Sequence, residues 1–169
     1  MAYIYCFKPI ADSKAKILIL GSMPGEASLL ANQYYAHPRN AFWRIMAELL
    51  KFDPAVSYEE KIQALHATHI ALWDVLQSCK RKGSLDTMIE TRTQTTNDFQ
   101  SFLHTHNKIT HIFFNGSKAE ACFKQFVQKK LDLESIKLAK LPSTSPAHAT
   151  ISFDHKREIW LNTLKPSLC

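Results

Sequence analysis

Apolar residues in this 169-residue chain gather in four runs of strand length: "KILILG" (Lys16 to Gly21), "HIALWDVL" (His69 to Leu76), "HIFFNG" (His111 to Gly116) and "SIKLAKLPS" (Ser135 to Ser143). The first three hold so few polar positions that they predict strands buried on both faces, as parallel strands are. Between the runs the period lengthens to that of a helix. "NAFWRIMAELL" (Asn40 to Leu50) sets Phe42, Ile45, Met46, Leu49 and Leu50 on one stripe. Ser57 and Ser117 each precede a Glu by three residues, the capping-box pattern of a helix start, and "NDFQSFLHTH" and "REIWLNTLKP" supply two further helical segments. This alternation predicts an α/β fold, a doubly wound three-layer sandwich in which helices flank a central, mostly parallel four-stranded sheet. No repeat, low-complexity tract or linker divides the chain, so residues 1–169 are expected to form one domain.

Open parallel sheets bind ligands outside the carboxyl ends of their strands. Four junctions should therefore converge: Gly21 to Arg39, Asp74 to Ser84, Asn115 to Lys118, and Pro142 to Ala149. They are also the most polar and basic junctions in the chain. The first runs to nearly twenty residues, a length that points to a binding or reacting loop.

Charge adds a partner class. Lys and Arg number 21 against 15 Asp and Glu, a formal net charge of +6 that favours an acidic partner without requiring one. Cys6, Cys79, Cys122 and Cys169 are scattered, with no C-x-x-C pair, and are expected to be free thiols. The eight His residues show no metal-ligand spacing, and neither a P-loop nor a strict G-x-G-x-x-G is present, so no metal and no cofactor are expected. No signal-peptide pattern or membrane-length apolar run occurs, and the expected location is the cytoplasm, in a bacterial cytosol or nucleoid.

Five motifs in order carry a more specific message. "GSMPG" after the first strand, "YYAHPRNAFW", "ALWDVL" followed by "CKRKGSLD", "FFNG", and "LPSTSPA" after the last strand resemble the uracil-DNA glycosylase superfamily, and most closely its hypoxanthine-DNA (deoxyinosine) glycosylase branch. The "AHPRNAFW" element is also similar to that of mismatch-specific uracil glycosylases. The match spans most of the chain. It implies a monofunctional enzyme of base excision repair, a monomer that hydrolyses the N-glycosidic bond of a flipped, deaminated base in double-stranded DNA and leaves an abasic site. Hypoxanthine is the expected base, with uracil and xanthine sharing its keto/N–H edge.

The residues can be weighed against that chemistry. By the resemblance, Tyr35 stacks on the flipped base, with Tyr34 the weaker candidate, and Gly21, Ser22, Met23, Pro24 and Asn115 complete the base pocket. The Asn115 carboxamide can accept from N1–H and donate to O6 of hypoxanthine, a pairing that adenine reverses; the structural alternative is a left-handed turn residue before Gly116. Met23 departs from relatives that excise uracil, which place Asp or Asn there to orient water. A thioether cannot do so. The resemblance passes catalysis to Asn40, which is equally well placed to cap the following helix. Ser143 and Ser145 match the phosphate-pinning motif, and with Ala147 in place of the usual bulky wedge, Pro146 or His148 would fill the duplex gap. Lys80, Arg81 and Lys82 would contact phosphates or form a solvated turn. Two readings outside this class stay open: a non-catalytic binder of damaged or single-stranded DNA, and an α/β enzyme for a small phosphorylated ligand.

Overall fold

The computed structural model describes residues 1–168, so the expectation for Cys169 falls outside it. At its centre lies a parallel four-stranded sheet formed by Ile17–Gly21 (β2), Ile70–Asp74 (β3), His111–Asn115 (β6) and Lys137–Leu141 (β7), in the order β3-β2-β6-β7. Each matches one of the four apolar runs.

Alternation along these strands builds two cores. Ile17, Ile19, Ile70, Leu72 and Phe113 face α2 (Phe42–Leu50), α3 (Tyr58–Ala67) and α6 (Phe153–Leu164), where Phe42, Ile45, Met46, Leu65 and Trp160 are fully buried. Leu18, Leu20, Ala71, Ile112 and Phe114 face α4 (Phe99–Thr105) and α5 (Ser117–Phe126), through Phe99, Phe102, Cys122 and Phe123. Helices on both faces give the expected three layers. The chain leaves β2 toward β3 on one side and returns to β6 on the other, so the crevice at the carboxyl ends of β2 and β6 is the switch point where such folds place ligands.

Several expectations need correction. "HIALWDVL" is not one strand. Val75 and Leu76 N–H donate to the carbonyls of Gly21 and Ser22, drawing the chain along the pocket loop, and Leu76–Lys80 (β4) then joins a second, antiparallel sheet between Tyr3–Tyr5 (β1) and Thr95–Thr96 (β5). The long first loop contains a six-residue helix, Glu26–Ala31 (α1), which lacks the apolar stripe that reveals longer helices. Ser57 caps α3 as its pattern predicts, its Oγ accepting from Glu60 N at 3.2 Å. Ser117 does not cap: Gly116, at φ 96°, holds that position and Ser117 opens the helix. Cys6, Cys79 and Cys122 are free thiols.

Candidate active site

Register alone brings the key residues to one edge. Gly21 ends β2 opposite Asp74, which ends β3, while Asn115 ends β6 opposite Leu141, the residue before the "PSTSPA" turn. Asp74 packs so closely that a Cβ on Gly21 would lie 2.6 Å from its Oδ1 and 3.2 Å from the Tyr35 hydroxyl. Glycine is needed here for close approach, since a Cβ essentially never sits within 3 Å of a fixed atom.

The first loop is anchored by Tyr34, 4% exposed, whose hydroxyl donates to Lys8 O at 2.8 Å and whose carbonyl accepts from Trp43 Nε1 at 2.8 Å. Tyr34 is thus a structural anchor rather than a stacking surface. Its neighbour Tyr35 takes φ 55°, an uncommon left-handed geometry for a bulky residue. This turns the half-buried ring onto Phe42, with centroids 4.0 Å apart, and sends its hydroxyl inward between Gly21 and the Asn115 side chain, without a hydrogen bond of ordinary geometry. Burial, with Asp74 close by, pushes that phenol far above its usual range.

Asn115 is not in the left-handed conformation; Gly116 adopts it instead. The Asn115 carboxamide is clamped by Thr144, Oδ1 accepting from Thr144 N and Nδ2 donating to Thr144 Oγ1, both at 2.9 Å. A backbone N–H can only donate, so the amide cannot be flipped, and one N–H and one acceptor site are left over. Thr144, 1% exposed, also accepts Ala41 N at 3.0 Å and so ties the turn after β7 to the loop that carries Asn40.

Asn40 is not the N-cap of α2, a position held by Ala41, yet its side chain still bonds the first turn. Its Oδ1 accepts from Phe42 N at 3.0 Å, one residue upstream of the usual cap, while Nδ2 has no partner among the described residues. The oxygen secures the helix start and the NH₂ group is left available.

Met23 departs from its expected place. It is 6% exposed and belongs to the core cluster that also holds Leu20, Val75 and Leu76, an apolar setting for a residue expected at the base pocket. The basic run is also not a uniform surface. Lys82 is exposed and Lys80 lies over the Tyr3 ring, but Arg81 is 4% exposed, donating to Gly83 O at 2.8 Å and Pro24 O at 2.6 Å. Its guanidinium straps one loop to another, out of reach of a phosphate. Ser84 and Asp86 make parallel links: Ser84 Oγ accepts from Glu26 N at 2.9 Å and Asp86 Oδ1 accepts from Ser22 Oγ at 2.7 Å.

Beyond the pocket, the turn after β7 borders a groove of about 290 Å³ lined by Arg39, Arg44, Ser145, Pro146, His148 and Lys156. Ser143 and Ser145 hydroxyls accept from the N–H groups two residues ahead, bracing the turn, and buried Lys156 donates to the carbonyls of Ser145 and His148. Sequence reasoning missed Arg39, Arg44, Thr144, Lys156 and the two acids, Asp74 and Asp86. The one available signal was a carboxylate closing an otherwise apolar strand, in "ALWDVL". No cluster of three or more His, Cys, Asp or Glu suited to a metal occurs among the described residues, and no helix there is long and apolar enough to cross a membrane.

The family model described as the Uracil DNA glycosylase superfamily matches residues 7–164. The chain belongs to the uracil-DNA glycosylase superfamily. It is accordingly an enzyme that hydrolyses N-glycosyl bonds in DNA. Two curated relatives, from Methanosarcina barkeri and Methanosarcina acetivorans, are each named hypoxanthine DNA glycosylase and are 37% identical over 114 residues, covering 67% of this chain and 71% of theirs. A solution NMR structure of a candidate uracil DNA glycosylase from Methanosarcina acetivorans superimposes with a TM-score of 0.77 at 29% identity, over 95% of this chain and 98% of that one. That superposition carries the α/β architecture described above, a four-stranded parallel sheet flanked by helices.

Proposed function

We propose that this glycosylase releases hypoxanthine from deoxyinosine in double-stranded DNA and leaves an abasic site. The observation that supports this most is the Asn115 clamp: an amide held by Thr144 in one orientation keeps an acceptor for N1–H and a donor for O6, a keto/N–H edge that hypoxanthine shares with uracil, xanthine and guanine and that adenine reverses, with the 2-amino group of guanine left to be rejected by crowding. The names of the two curated relatives point the same way. Tyr35, backed by Phe42, offers a ring for the flipped base. Asn40 Nδ2 acts at the reacting centre by holding water or the departing base; the C1′–N9 bond breaks with its electrons passing to the purine, water oxygen bonds to C1′, and the proton that water loses neutralises the departed purine. Ser145, Pro146 and His148 line the groove that takes phosphates, Ser143 braces the turn that carries them, and the abundance of cationic side chains suits a polyanion.

The test is single-turnover incubation with duplexes bearing one deoxyinosine, deoxyuridine or deoxyxanthosine, with free base and alkali-labile strand quantified in the presence of chelator. Release is expected to be fastest for hypoxanthine. Folded protein that binds such duplexes but frees no base from any of them would favour the non-catalytic binder.

A further inference from the structure

One part of the pocket plays no role in the chemistry above. Asp74 is 4% exposed, neither of its carboxyl oxygens accepts a hydrogen bond among the described residues, and Oδ2 is wholly enclosed. It joins no ion pair there. Enclosing an ionised carboxylate without donors or a counter-ion is strongly unfavourable, and the group responds by keeping its proton. The surroundings favour the same state. A second acid, the exposed Asp86, acts on it through space, its Oδ1 accepting from the Ser22 hydroxyl at 2.7 Å. The nearest cation, Arg81, has spent two donors on the carbonyls of Pro24 and Gly83. The phenols of Tyr34 and Tyr35 and the Cys6 thiol complete the ionisable groups around Asp74, all of them neutral near pH 7. Asp74 Oδ1 and the Tyr35 hydroxyl also converge on one side of Gly21, beside the ring proposed to hold the base, and both Tyr35 Oη and Asp74 Oδ2 are buried without partners.

We infer that Asp74 is a positioning acid for base release: in its neutral form it lies against Gly21 and the Tyr35 hydroxyl without placing charge beside the base, and its ionisation sets the alkaline limit of the reaction. The activity arm of this inference rests on the proposed glycosylase function. Departure of the base places negative charge on the purine, and a carboxylate enclosed beneath it opposes that charge in a low-dielectric site. Burial first, and the neighbouring Asp86 charge second, push the Asp74 carboxyl up to about 7, with Arg81 pulling weakly the other way.

The test is the pH profile of single-turnover hypoxanthine release between pH 5.5 and 9 for the parent, Asp74→Asn and Asp86→Asn, together with ¹³C titration of the aspartate carboxyl carbons in the free protein. The parent should release base about tenfold faster at pH 6 than at pH 8, as a single ionisation near 7 demands. Asp74→Asn, a permanently neutral isostere, should bring that ratio near unity, retaining only the limb at higher pH from the N1–H of deoxyinosine itself. Asp86→Asn should shift the parental limb to lower pH, because the charge that opposes Asp74 ionisation is gone. A parental limb that persists unchanged in Asp74→Asn, or stays in place in Asp86→Asn, overturns the inference while leaving the glycosylase standing. If no base is released at all, the function proposal fails, and the carbon titration still decides: a carboxyl titrating near 7 that disappears in Asp74→Asn supports the acid, and its absence removes it.

Discussion

At the scale of single residues, most of the pocket depends on which atom of a side chain is already engaged. Asn40 engages only its carboxamide oxygen, so substitutions separate that bond from the catalytic role proposed for its NH₂. Asn40→Asp keeps an oxygen for Phe42 N–H and loses the NH₂; Asn40→Ala loses both. Both variants should lose most single-turnover release, while thermal denaturation shows a loss of about 1 kcal/mol for Asn40→Ala and little for Asn40→Asp. Parental turnover by Asn40→Asp would reduce this residue to a cap. Met23 illustrates the opposite case. Its sequence position, where uracil-excising relatives carry Asp or Asn, suggests that Met23→Asp should gain uracil release, yet the side chain lies in the apolar core. The expected outcome is instead a destabilisation on the order of 3 kcal/mol in chemical denaturation, with no new activity, because a carboxyl is placed among Leu20, Val75 and Leu76. A stable Met23→Asp that frees uracil would restore the reading from sequence. For Asp74, folding holds a proton that the unfolded chain releases, so parental stability declines as pH rises from the ordinary aspartate value of 3.8 to about 7 and then levels off. The melting-temperature advantage of Asp74→Asn over the parent should accordingly be absent near pH 4 and complete above pH 7.

At the scale of elements, what could be read from sequence follows how strongly burial writes a period into it. Strands β2, β3 and β6 and helix α2 were legible because each buries most of its length against a helix or sheet layer, whereas β7, with only Leu141 buried, shows itself by the alternation of Lys137, Leu138, Ala139, Lys140 and Leu141. β1, β5 and α1 were not, since three, two and six residues leave no period to read. The break at Val75 was hidden for another reason: both halves of "HIALWDVL" are apolar, and only backbone bonds to Gly21 and Ser22 turn the second half away. That turn carries Arg81 inward and leaves Lys82 outside, a distinction that three adjacent basic letters cannot express. It can be tested directly. Arg81→Ala, which removes charged hydrogen bonds to Pro24 and Gly83, should cost about 3 kcal/mol of stability and leave the salt dependence of duplex binding unchanged. Lys82→Ala should leave stability alone. Any change in salt slope from Arg81→Ala in protein that remains folded would place its guanidinium on DNA after all.

At the scale of the molecule, the +6 charge is meaningful for DNA only where it is concentrated and unspent. Lys156 is buried under two carbonyls and Arg81 is enclosed, so neither offers its N–H donors directly to a phosphate. Arg39 and Arg44 are exposed on the groove beside Ser145 and Pro146, and Arg44 holds its guanidinium 4.0 Å above the Phe153 ring, a support that orients the group while leaving its N–H donors free. These two residues are therefore expected to bind phosphates that register the duplex against the pocket. Removing one phosphate-binding cation reduces the slope of log K against log salt by about 0.9, so Arg39→Ala with Arg44→Ala should flatten it by roughly 2, equally for undamaged and deoxyinosine-bearing duplexes. Because phosphate binding positions DNA without reading bases, the ratio of hypoxanthine to uracil release under saturating protein should stay at its parental value. A double variant with the parental slope would move the phosphate track away from this groove, and one with an altered base preference would mean that the groove reads the lesion as well as the backbone.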